Sequence, residues 1–421
     1  MGILLKNTLL KGSKTDIKIE NGLFAEISSH ISASGSDIVL DAGGKIIVPS
    51  LKNGHTHSAM TLLRGWGDDM ALQPWLEEKI WPVEAKIVDN PEISYWGTRL
   101  ACLEMVKSGT TFANDMYFNF PRNARAFRES GMKVSAGTAL FDFFDSEKTA
   151  EMKTLCEREF TALEETGSVY YSVAPHSVYT VSKQLLQWAG DFSRERNLPV
   201  HIHLCETKKE VDDCISSWGK SPVAYLKDLG LLSSRLIAAH AVWLSDDDIQ
   251  ILADYGVTVV HNPVSNMKLS VGNVFPYRRM QERHIPMMLG TDGAASNNNL
   301  DMFEEMKFAA LLQKQHTGNP KVMSAEEIFA IASGSQCSLF PYLSGSIEKG
   351  LHADCLLLDP DASELNPNHN TLSNIVYAAG SGCIDTVISG GRVLMNHGTI
   401  EGEKRILTGF REAVQKLFFR S

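Results

Sequence analysis

No run of about eighteen apolar residues occurs anywhere in the 421-residue chain, so no membrane span is expected. The opening stretch MGILLKNTLLKGSKTD has neither a long apolar segment nor a small-residue cleavage site, and its sixth residue is not the Ser or Thr of a myristoylation signal. Cysteine is scarce: Cys102, Cys156, Cys205, Cys214, Cys337, Cys355 and Cys383 are scattered, odd in number and never spaced CxxC. That pattern argues against a disulfide framework and a structural zinc knuckle, and fits a reducing cytoplasm. Forty basic residues against fifty acidic ones give a formal charge of −10, and no Lys/Arg block concentrates positive potential. Neither nucleic acid nor a membrane surface is an expected partner. There is also no 20–50-residue repeat, no low-complexity tract and no linker of disordered composition.

What is present is a 43% hydrophobic composition, enough to fill the core of one large barrel and a smaller module. Residues 1–49 alternate as short strands, with Asn21-Gly22 as a two-residue hairpin signal. From about residue 44, apolar β-rich runs alternate with longer amphipathic segments. The runs are KIIVPSLKNGH, TTFANDMY, KVSAGTALF, VYYSVAPHS, PVHIHLCE, LIAAHAV, VTVVHNP and PMMLGTDG, with EISYWGTRLACLEMVKS, SKQLLQWAGDFSRER and SDDDIQILADY among the helices between them. Eight βα units predict a closed (β/α)8 TIM barrel over 50–343, an open doubly wound sheet being the alternative. After about Pro341 short strands return, followed by an amphipathic helix near RILTGFREAVQKLFF. Segments 1–49 and 344–421 are therefore expected to pair into one small β-domain.

Polar residues gather at the carboxyl ends of these runs, where a parallel barrel does its chemistry. His55 and His57 follow the first run, His176 the fourth, His203 and Glu206 the fifth, His240 the sixth, His261 the seventh and Asp292 the eighth. Residues i and i+2 of an extended segment point the same way, so His55 and His57 can face one point. A metal would hold them there, with His203 and Asp292 as the best further ligands. His201 lies one pleat deeper and is read as packing or support for a ligand. The absence of a lysine at the end of the fourth run, APHSVY, favours one metal over two. His261, in the turn-rich HNPVSN, is expected to bond backbone groups.

NGHTHS, HIHLCE, AAHAVWL, VVHNPVSNMKL and LGTDGAASNNNLDMFEEM together resemble the amidohydrolase superfamily, most of all its 5′-methylthioadenosine/S-adenosylhomocysteine deaminase branch. The resemblance covers nearly the whole chain. It implies a metal-bearing (β/α)8 barrel with a β-sandwich built from both chain ends. It also implies metal ligands at His55, His57, His203 and Asp292, an acid/base at Glu206, and a water-orienting group at His240. The cap-like segment PWLEEKIWPVE would set Trp75 against the ligand and Glu84 on ribose hydroxyls, with His176 and Ser296 completing the pocket. One divalent ion per chain is implied, Zn2+ first and Fe2+ as the alternative.

The chemistry implied is attack by metal-activated hydroxide on the amine-bearing ring carbon. His240 and Asp292 orient and deprotonate the water, Glu206 protonates the adjacent ring nitrogen, and ammonia leaves. Catalysis is thus assigned to Glu206, His240 and Asp292. The stretch GMKVSAGTALFD around Thr138, where the resemblance implies an arginine for a homocysteine carboxylate, has none, and the nearby Phe141, Phe143 and Phe144 suit an uncharged tail. Adenosine or methylthioadenosine is therefore expected ahead of S-adenosylhomocysteine. Ser50 replaces the glycine usual in the family's Pro-Gly turn. The alternatives are a deaminase or chlorohydrolase of another amino-heterocycle (cytosine, guanine, pterin, triazine) and a non-catalytic assembly protein, against which the intact polar set argues. Homo-oligomerisation stays open.

Overall fold

Ser50 is where the chain changes partners. Its N–H bonds the carbonyl of Asp354 near the C-terminus at 3.2 Å, whereas the next N–H, of Leu51, bonds Gly109 at 3.0 Å. The computed structural model describes residues 2–35, 37–163 and 167–419. Before Ser50 come β1 (Ile3–Leu10), β2 (Ser13–Glu20), β3 (Leu23–Ser28), β4 (Ile38–Asp41) and β5 (Ile46–Pro49). The β2–β3 pair is antiparallel, and Asn21 and Gly22 both take positive φ, as a two-residue hairpin turn requires.

After Ser50 the strands are β6 (Leu51–His57), β7 (Thr110–Tyr117), β8 (Lys133–Leu140), β9 (Val169–Tyr171), β10 (Ala174–Pro175), β11 (Val200–Leu204), β12 (Leu236–His240), β13 (Thr258–His261), β14 (Met287–Leu289) and β15 (Asp292–Gly293). All their pairings are parallel. One sheet runs β10-β8-β7-β6-β15 with β9 also on β8, and a second runs β11-β12-β13-β14. Their side chains are almost wholly buried, which explains why they read as unbroken apolar runs rather than alternating ones. Two runs are interrupted, VYYSVAPHS into β9 and β10 and PMMLGTDG into β14 and β15. The expected helices form over Pro91–Lys107, Lys183–Arg196 and Asp246–Asp254. The last two start on serine caps: Ser182 accepts from Leu185 N–H and Ser245 from Asp248 N–H.

At the C-terminal end β16 (Cys355–Leu358), β17 (Ile384–Ser389) and β18 (Arg392–Met395) join the N-terminal strands in one eight-stranded sheet, ordered β18-β17-β16-β5-β1-β2-β3 with β4 on β1. A helix over Glu403–Phe418 follows. The two chain ends thus share a sheet. All seven cysteines are free and buried. No helix among the described residues is long and apolar enough to cross a membrane.

Candidate active site

His55 and His57 leave the same face of β6, with ring centroids 4.8 Å apart. His203, in β11, brings its Nε2 to 3.2 Å from His57 Nε2. Asp292, opening β15, sets Oδ1 3.3 Å from His55 Nε2 and 3.2 Å from His57 Nε2. The donor atoms of His55, His57 and Asp292 lie within 4.8 Å of one another, as do those of His55, His203 and His240.

The other side of each ring fixes its tautomer. His57 Nδ1 donates to the Met116 carbonyl and His203 Nδ1 to the His176 carbonyl at 2.9 Å. A carbonyl only accepts, so Nδ1 carries the proton and the Nε2 lone pair faces the cluster. His55 Nδ1 meets His201 Nε2 at 2.8 Å, and His55 Nε2 has no hydrogen-bond partner. Lone pairs 3.2 Å apart repel unless a cation lies between them, so the donor set fits a zinc-like ion. Burial pushes the Asp292 carboxyl up, but the close imidazoles of His55 and His57 outweigh it and hold it well below the usual carboxylate range. Burial drives His55 down to about 4 and His203 well below the usual imidazole value. Burial also pulls on His57, yet Asp292 raises it to about 9. A bound cation would displace that proton.

Cys205 (φ +52°), His240 (φ +71°), Ala241 (φ +49°) and Asp292 (φ +61°), all at this edge, adopt left-handed backbone. Such strain in non-glycine residues is held only where surrounding contacts enforce it. Asp292 is enforced by Gly293 N–H on Oδ1 at 2.8 Å and by Ser265 Oγ and Ser296 Oγ on Oδ2 at 2.6 and 3.0 Å. His240 Nδ1 donates to Asn266 Oδ1 at 2.9 Å and lies 3.8 Å from Glu206 Oε1. Glu206 is buried, which lifts its carboxyl, with His240 opposing.

Above this floor is a cavity walled by Trp75, Trp81, Glu84, Tyr117, Phe141, His176 and Tyr179. Trp75 opens a π-helical turn over Trp75–Ile80, which runs into the helix Trp81–Val88 carrying Glu84. Burial lifts Glu84 to about 7, with His57 opposing. His176 stacks on Phe141 at 4.2 Å and bonds Thr180 Oγ1 through Nδ1 at 2.8 Å. Trp75, Glu84 and His176 thus share the cavity with the polar cluster. Ser296 does not line it: its hydroxyl is spent on Asp292. His261 departs from expectation too. Neither of its ring nitrogens has a hydrogen-bond partner, and the ring lies flat on Phe275 at 4.2 Å.

Sequence reasoning missed Tyr117, Tyr179, Ser265 and Asp115. Asp115 accepts from Ser58 N–H at 2.7 Å and Ser58 Oγ at 3.0 Å, pinning the chain as it leaves His57. Tyr117 had a usable signal, since it ends TTFANDMY at the same strand edge as the histidines.

A profile of the Amidohydrolase family matches residues 46–394. The chain belongs to that family. Among amidohydrolase relatives, it is 45% identical over 409 residues to 5-methylthioadenosine/S-adenosylhomocysteine deaminase 1 of Archaeoglobus fulgidus, covering 96% of each chain. It is 43% identical over 395 residues to the 5′-deoxyadenosine deaminase of Methanoregula boonei, covering 92% of this chain and 87% of that one. A solved adenosine deaminase from Xanthomonas campestris with bound zinc superposes with a TM-score of 0.90 at 31% identity, covering 99% of this chain and 98% of that one.

Proposed function

We propose that this amidohydrolase is a metal-dependent aminohydrolase that converts an adenosine-type nucleoside, adenosine or 5′-methylthioadenosine first, to the inosine analogue and ammonia. The observation that carries the reading is the convergence of His55, His57, His203 and Asp292 beneath a cavity that also holds Glu206, His240, Trp75 and Glu84. Those first four residues hold the metal, zinc in this reading and ferrous iron as the alternative. When bound, the ion supplies a Lewis acid that makes water nucleophilic near neutral pH. His240, fixed through Asn266, orients the attacking water and with Asp292 receives its proton. Glu206, lifted by burial, holds a proton for the ring nitrogen beside the amine-bearing carbon. Trp75 packs on the base and Glu84 takes ribose hydroxyls. His176 forms the wall and keeps His203 in its tautomer through its own carbonyl. Ser296 acts through Asp292.

The same reading takes the two parallel sheets as one closed (β/α)8 barrel over 50–343. In support, Val173 bridges Val200 in parallel across one seam, and Asn53 of β6 bonds Thr291 Oγ1 at 2.7 Å across the other. The eight-stranded sheet is taken as a sandwich of residues 1–49 and 344–421. Ile3, Leu5, Ile17 and Phe24 share a core with Ile47, Leu357 and Ile388, as a sheet folded on itself would.

S-adenosylhomocysteine is the second reading. Phe118, Ala139 and Phe141 also wall a neighbouring cavity that Arg122 and Arg158 line, which offers a charged tail a partner. Ammonia release over adenosine, 5′-methylthioadenosine, S-adenosylhomocysteine, cytosine, guanine and pterin, with metal content measured on the same sample, tests both readings. Turnover of the nucleosides is expected, and metal-loaded protein inert on all of them would overturn the proposal.

A further inference from the structure

The helix Lys208–Trp218 opens on Thr207-Lys208-Lys209-Glu210, the spacing of a capping box. Thr207 plays its part, its Oγ1 accepting from the Glu210 N–H at 3.1 Å. In the helices Asp246–Asp254 and Ala325–Ala332 the acid three residues on returns the bond to the cap's own amide, Asp248 to Ser245 at 3.0 Å and Glu327 to Ser324 at 2.7 Å. Glu210 reaches past it. Its Oε1 accepts from Cys205 N–H and its Oε2 from Glu206 N–H, both at 2.8 Å. The clamp falls on the left-handed turn at Cys205. The carbonyl of the same residue accepts from the amides of Val242 and Trp243 at 3.0 and 2.8 Å, just beyond His240. One residue's N–H is thus gripped by Glu210 and its C=O by the segment that carries His240. Burial pushes the Glu210 carboxyl up to about 7, although both amide bonds oppose it, so an ordinary cap would be better left in solvent.

We propose that Glu210 is a positioning residue for the deamination, holding two consecutive amides so that the Glu206 carboxylate stands 3.8 Å from His240 and faces the metal-ligand cluster. This rests on the reading of Glu206 given under Proposed function. Glu210→Gln keeps one acceptor and turns an NH2 toward the other amide, whereas Glu210→Ala removes both.

The expected result is a fall in kcat of roughly tenfold to a hundredfold for Gln and more for Ala, as for a misplaced catalytic group, with KM within about threefold. Metal content stays at the parent value. In a Glu206→Gln background the Glu210→Gln change should cost almost nothing further, because it acts through a side chain already disabled. The amides of Cys205 and Glu206 should also exchange hydrogen faster in both Glu210 variants. The proposal is overturned if the two losses multiply, if the loss follows metal content, or if amide exchange is unchanged. A parent protein that releases no ammonia overturns the deaminase reading instead, and amide exchange at unchanged metal content still decides whether the clamp exists.

Discussion

Glu206 is the side chain with no structural duty to explain its burial. It is buried, it lies 3.8 Å from His240 Nδ1, and it lines the cavity. Glu206→Gln keeps the shape and removes the titrating proton. It should retain the parent's metal content and lose about 10²–10⁴-fold in kcat, read by steady-state ammonia release with metal analysis beside it. A Gln variant with parental turnover would take Glu206 out of proton transfer. At this scale the sequence was informative where a residue's position in the cluster follows from its place along a strand. The i, i+2 spacing of His55 and His57 and the strand-end positions of His203, His240 and Asp292 were enough to bring them together. Roles that depend on a neighbour from another strand were hidden. Nothing in GAASNNN says that the Ser296 hydroxyl turns to Asp292, whose backbone is left-handed, a conformation that the sequence does not announce. His261 sits among turn-formers, yet its partner is the face of Phe275, fourteen positions later in the chain.

Strand β8 shows how tightly the elements are drawn together. A Cβ added at Gly137 would lie 1.9 Å from the carbonyl oxygen of Ser172, and that oxygen is backbone, with no rotamer to give way. Ser172 N–H is meanwhile tied to the Ala136 carbonyl at 2.9 Å. Gly137→Ala should therefore cost at least about 1–3 kcal/mol of unfolding free energy, the usual scale of overpacking. Gly380→Ala, where nothing lies within 4 Å, should stay within about 0.5 kcal/mol. Urea unfolding of both variants checks the contrast, and equal midpoints would mean that β8 and the β9–β10 segment can separate freely. The runs themselves were legible because a parallel strand buried on both faces has no polar period to confuse it. The break of VYYSVAPHS into β9 and β10 was not, because it arises where Ser172 passes Gly137, a contact between strands.

One carboxylate joins the parallel strands to the terminal sheet. Asp354, just before β16, accepts from Lys133 Nζ at 2.8 Å and lies 3.6 Å from Lys52 Nζ, while its other oxygen accepts from Gly390 N–H at 2.8 Å. Lys52 is fully buried and also donates to Ser50 Oγ at 2.7 Å and Thr111 Oγ1 at 2.9 Å. Ser50, at the switch between the two sheets, is thus an acceptor for a buried ammonium. Burial drives Lys52 down to about 8, with Asp354 opposing. Asp354→Asn leaves the lysines without their counter-charge and should cost about 3–5 kcal/mol, the scale of breaking a buried ion pair. The pH dependence has a definite sign. Without Asp354 the folded state releases the Lys52 proton at a lower pH than the parent does, while the unfolded chain keeps it to about 10.5. In the variant the folded state binds fewer protons than the unfolded one from that lower pH upward. Its deficit against the parent should therefore narrow as pH rises toward about 8, then stay level once the parent's Lys52 is also neutral. Denaturant unfolding of both proteins from pH 6 to 9 measures this. A deficit constant across that range would mean that Lys52 stays protonated in the variant and that the lost stability comes from the Gly390 and Lys133 bonds instead.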